Sequence, residues 1–126
     1  MKKKLPKNVI IFNDPVYCQD YIIVITPSHT KFRRIIKELI DYDIEKEEDT
    51  GVSGCFYGIT HPKKGDLGIL WTKNRQCTLI HEIFHLTSWT LRNRDICLDS
   101  ESSEESWAYY LTYIYRTIKE RLRHGK

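Results

Sequence analysis

The chain opens with two dense runs of β-branched and aromatic residues, Val9-Ile10-Ile11-Phe12 and Tyr21-Ile22-Ile23-Val24-Ile25-Thr26, parted by Asn13-Asp14-Pro15. Runs of this kind predict strands, and the turn-forming residues between them predict an N-terminal hairpin. After Pro27 the period lengthens. Phe32, Ile35, Ile36, Leu39 and Ile40 fall on one helical stripe, with Arg33, Arg34, Lys37 and Glu38 left for water and Ser28 as the candidate cap. Asp41 to Asp49 carries six acidic residues against one lysine and predicts an exposed loop. Two more strand-like runs, Gly54 to Thr60 and Leu67 to Thr72, are joined by His61-Pro62-Lys63-Lys64-Gly65-Asp66 and predict a second hairpin. From Arg75 to Thr90, Leu79, Ile80, Ile83, Phe84 and Leu86 are spread round much of the circumference, which predicts a largely buried helix. A polar connector, Arg92 to Ser103, leads to a final helix with Trp107, Ala108, Leu111, Ile114, Tyr115, Ile118 and Leu122 on one face. The fold class expected is α+β in one domain: N-terminal strands and helix, a β-hairpin, then two packed helices.

Size and charge add limits. At 126 residues the chain suits a single modest core. No apolar run approaches the roughly 18 to 20 residues of a membrane-spanning helix. The stretch behind Lys2, Lys3 and Lys4 is too short for a secretory signal, so a cytoplasmic location and no membrane partner are expected. The four cysteines, Cys18, Cys55, Cys77 and Cys97, form no CxxC pair and are expected reduced and mostly buried. A net charge of +3 is weak, the basic residues are concentrated at the chain ends, and the C-terminal set complements a helix macrodipole, which argues against a nucleic-acid partner.

The penultimate helix carries His81-Glu82-Ile83-Phe84-His85, the H-E-x-x-H pattern. His81 and His85 stand one turn apart on one face, so both imidazoles can reach a single cation at about 2.0 to 2.1 Å. Glu82, beside that face, is placed to take a proton from a metal-bound water. A hydrolytic zinc site needs a third protein ligand. The downstream histidine of the H-E-x-x-H-x-x-G-x-x-H arrangement is absent, because Ser88 and Leu91 hold the glycine and histidine positions, so a carboxylate is the better choice.

With these residues the sequence resembles the gluzincin metallopeptidases, whose third ligand is a glutamate on the helix after the H-E-x-x-H helix. Glu104 and Glu105 follow His85 at the family's spacing, and Glu105-Ser106-Trp107-Ala108 matches its pattern of a ligand three residues before a small residue. The order of elements is similar to minimal gluzincins and to the metallopeptidase domain of phage-element regulators. Glu105-Ser106-Trp107-Ala108-Tyr109-Tyr110-Leu111 looks like short phage-encoded proteins of unassigned activity, which would place the chain in a host cytoplasm. The resemblance implies a minimal zincin-like fold, a Zn2+ cofactor held by His81, His85 and Glu105, Glu82 as general base, and a peptide or protein substrate. It also implies that the strand Leu67 to Thr72 is the edge that holds an extended peptide.

Helical projection alone puts Glu104 nearer the centre of the last helix's apolar face, so Glu104 stays an alternative to Glu105. Ser102-Ser103-Glu104-Glu105 also reads as a capping box, in which Glu105 would bond back to the N-cap amide. Tyr109, Tyr110, Tyr113 and His61 are candidate donors to a developing oxyanion. The alternative function is a regulatory or binding module with a structural or sensing zinc site and a protein partner.

Overall fold

Tyr21 to Ile25 is apolar at every position because the strand it forms is covered on both faces. The structure, a computed structural model, describes residues 5–46, 52–74 and 76–124. Strands β1 (Val9–Asp14) and β2 (Gln19–Ile25) form the expected antiparallel hairpin. The turn is held by Asp14, whose carboxylate accepts from the Val16 and Tyr17 N–H groups at 2.9 and 3.1 Å. Helix α1 (His29–Ile40) follows, with Ser28 Oγ accepting from Lys31 N–H as its cap. Strands β3 (Gly54–His61) and β4 (Gly65–Thr72) form the second hairpin, and β4 inserts beside β2 in parallel. The sheet order is β1-β2-β4-β3. Helices α2 (Cys77–Arg92) and α3 (Glu101–His124) complete an α+β fold with the layout expected from the pattern.

Alternation along the strands divides the core in two. Ile22, Val24, Leu67, Ile69 and Trp71 meet Phe32, Ile35, Ile36 and Ile40 of α1 on one face of the sheet. Tyr21, Ile23, Ile25 and Leu70 meet Leu79, Ile83, Leu86, Trp107, Tyr110, Ile114 and Ile118 of α2 and α3 on the other. None of the helices among the described residues is long and apolar enough to cross a membrane.

Several expectations are corrected. Helix α2 is buried on one side only: Ile80 and Phe84 stand nearly half exposed. Ala108 is exposed, and Tyr110 takes the place on the buried face of α3 that the pattern assigned to it. Cys18, Cys77 and Cys97 are exposed and Cys55 half-buried; all four are free thiols. The α3 cap lies further upstream than expected. Ser103 N–H donates to Ser100 Oγ at 3.3 Å and Ser100 N–H to Ser103 Oγ at 3.0 Å, a reciprocal pair that leaves Glu105 outside the capping role. Ile44, within the acidic connector, is buried, and its carbonyl accepts from Arg33 Nε at 2.7 Å. The rest of that connector, 47–51, and Arg75, Lys2, Lys3 and Lys4 lie outside the described residues.

A buried hydroxyl chain ties α2 and α3 to the first hairpin. Tyr110 O–H donates to Asp14 at 2.6 Å, so its oxygen is free to accept from Tyr21 O–H, also at 2.6 Å. Tyr21 oxygen in turn accepts from Thr90. Burial pushes the Tyr21 hydroxyl from its usual 10.0 up to about 12 and raises Tyr110 as well. Unfolded tyrosines lose their protons near pH 10 whereas the folded pair retains them. The stability they contribute is therefore complete below pH 10 and falls as pH rises through the folded values, by about 1.4 kcal/mol per pH unit for each. Urea titrations at pH 9 and pH 11 should show this loss. Tyr110→Phe, which removes the donor to Asp14, should cost about 1 to 3 kcal/mol at pH 7 and flatten the alkaline fall.

Candidate metal centre and cleft

Helix α2 lies close to the sheet because glycines face it. A Cβ at Gly58 would run into the Trp89 indole, and one at Gly68 would meet Tyr21 and Trp89. A Cβ at Gly54 would come within 2.9 Å of Glu82 Cγ and of the Trp71 carbonyl oxygen. The absent side chains leave room for Trp89 and Glu82, and this seats the H-E-x-x-H segment against β3. None of these three glycines stands out in the sequence, yet glycines within an apolar strand pattern are a signal of close backbone approach.

His81 and His85 point their Nε2 atoms at each other, 3.3 Å apart, and both side chains are exposed. Two imidazole nitrogens bound at 2.0 to 2.1 Å to one tetrahedral cation are themselves about 3.3 to 3.4 Å apart. The pair therefore has the spacing of two nitrogens that share one such cation, and here the N–H of one ring donates to the bare nitrogen of the other. Glu82 is buried beneath them, with Oε2 3.9 Å from His81 Nε2. Its burial holds the carboxyl above the ordinary carboxylate value, while the two histidines pull it partly back.

The expected third ligand is not brought to this pair. Glu104 and Glu105 are both exposed on the first turns of α3, and among the described residues no three His, Cys, Asp or Glu side chains gather as a metal-holding group. Trp107 packs on Phe84 with ring centroids 5.8 Å apart, so the start of α3 does lie beside the histidine helix. Relative to Trp107, Glu104 is turned by about 60° and Glu105 by about 160°. The helical phase thus brings Glu104 closer to α2 than Glu105.

The candidate oxyanion donors fare differently from one another, but none lines the cleft. His61 is buried in the β3–β4 turn, where Nε2–H donates to the Ile40 carbonyl at 2.7 Å and Nδ1 accepts from Lys63 and Lys64 N–H. Its role is structural. Tyr110 is committed to Asp14, Tyr113 packs beside it, and Tyr109 is 72% exposed.

A cleft of about 510 Å³ runs between β3 and α2, lined by Gly54 to Gly58 and by His81, Glu82, His85, Ser88 and Trp89. The strand beside it is β3. This corrects the assignment of Leu67 to Thr72 as the peptide-holding edge, because β4 is an interior strand paired on both sides. Lys73 N–H donates to the Ser53 carbonyl, so main-chain groups of odd-numbered β3 residues face β4. Those of Gly54, Phe56, Gly58 and Thr60 face outward, and among the described residues no main-chain hydrogen bond outside the sheet engages them.

Against protein-family models, curated proteins and solved structures, the chain finds no match.

Gly54→Ala should lower stability by about 1 to 3 kcal/mol in chemical denaturation, because the Trp71 carbonyl and Glu82 must both give way to the added methyl.

Proposed function

We propose that the protein is a zinc-dependent hydrolase that cleaves peptide bonds. The observation carrying this reading is the 3.3 Å approach of His81 Nε2 to His85 Nε2 above a buried Glu82, on the floor of an open cleft. Zinc bound there would acidify water and polarise the scissile carbonyl. His81 and His85 would hold the ion, and Glu104 or Glu105 would complete the site once α3's first turn shifts toward them. Glu82 takes the proton of the attacking water and passes it to the leaving amine. Its seat between Gly54 and His81 keeps it out of bulk solvent while leaving it at the cleft wall. The outward main-chain groups of β3 align the substrate backbone as an added strand, a recognition mode that tolerates many sequences.

The second reading, a sensing or structural zinc site that recruits a protein partner, is favoured by Ile80 and Phe84 standing exposed on the same helix as the histidines. The two readings separate experimentally. Purified protein should carry one zinc per chain by elemental analysis, and His81→Ala or His85→Ala should lose it. Glu82→Gln should keep the metal and lose about 10²- to 10⁴-fold in turnover of a quenched fluorescent peptide library. Full activity in Glu82→Gln contradicts its role as base; collapse of the fold on chelation with no turnover at any stage supports the second reading. Zinc affinity in Glu104→Gln and Glu105→Gln identifies the third ligand, and the helical phase predicts the larger loss in Glu104→Gln.

A further inference from the structure

A second cavity, of about 400 Å³, adjoins the first and shares Gly58 and Trp89 with it. Its remaining lining is Ile59, Thr60, Asp66, Asn93 and Arg94. The two cavities follow the same strand edge, from Gly54 to Thr60, a length of about 20 Å in extended chain. Along that edge the outward main-chain groups recur at every second residue, and they continue past the histidine pair without interruption. The second cavity is polar where the first is mixed. Thr60 Oγ1 donates to Asp66 Oδ1 at 3.0 Å, and Arg94 is anchored by one nitrogen on the Tyr17 carbonyl, which keeps its guanidinium at the cavity wall.

We infer that the substrate is bound at both cavities, so that the cleaved bond is flanked on one side by about four further residues held in extended form along Gly58 and Thr60. The substrate class is then an extended stretch of polypeptide at least about six residues long, with a polar side chain seated between Asp66 and Arg94, and not a dipeptide or tripeptide. This rests on the reading of the cleft as a peptide-hydrolysing site. It differs from that reading in requiring contact well beyond the metal.

The test uses N-acetylated, C-amidated peptides of alternating serine and valine, four and eight residues long, and the full-length chain. With the Glu82→Gln protein, amide hydrogen exchange should show Gly58 and Thr60 N–H protected by the octapeptide but not by the tetrapeptide. Cys55, Tyr57 and Ile59, already facing β4, should change little. With the unsubstituted protein, kcat/KM should rise at least tenfold from four residues to eight. Thr60→Pro removes an outward N–H that β4 does not use, and it should raise KM for the octapeptide more than it lowers kcat. Equal protection of Gly58 and Thr60 by both peptides, or equal kcat/KM for both, overturns the inference. If the octapeptide gives the alternating protection while neither peptide is cleaved at any zinc concentration, the long groove stands and the hydrolase reading falls.

Discussion

The contact on which everything else depends is the close seating of α2 across the glycine-bearing face of β3 and β4. Trp89 fits over Gly58 and Gly68, and Glu82 fits over Gly54, at distances no side chain would permit. The buried side of the helix then supplies Leu79, Ile83 and Leu86 to the core. Its other side is left at the open edge of the sheet, and His81 and His85 are on that side. The same contact makes Glu82 both buried and adjacent to solvent. Burial disfavours the charged form of a carboxyl in that position, a cost that fits the proton-accepting role proposed for it.

The second constraint is the hydroxyl chain from Thr90 through Tyr21 and Tyr110 to Asp14. It ties one residue of each late helix to the first hairpin, and so fixes where α3 starts relative to α2. That start places the Trp107 ring on Phe84 and leaves Glu104 and Glu105 exposed on the turn before it. The two imidazoles of the proposed zinc site therefore stand together, and among the described residues no carboxylate joins them as a third donor.

Much of this was legible in the residue pattern. The β-branched runs marked β1 and β2, Ser28 marked the start of α1, and the H-E-x-x-H spacing marked the histidine pair. What escaped depends on contacts distant in sequence. That β4 is interior and β3 is the edge follows from β4 inserting beside β2, a pairing no local pattern encodes. Tyr110 read as a packing aromatic or an oxyanion donor because its partner, Asp14, is 96 residues away. The start of α3 was misplaced because Ser100, Ser102 and Ser103 all satisfy a cap preference, and only the geometry selects Ser100. Ile80 and Phe84 read as core because the 3.6-residue period does not tell how wide a face the sheet can cover.

The most direct measurement is anomalous diffraction at the zinc edge from crystals of the zinc-loaded chain. A zinc ion shared by the histidine pair gives a single peak within about 2.0 to 2.1 Å of both His81 Nε2 and His85 Nε2, with an α3 carboxylate drawn in as a third ligand. A peak elsewhere, or none at saturating zinc while the two imidazoles remain hydrogen-bonded to each other, contradicts the shared site.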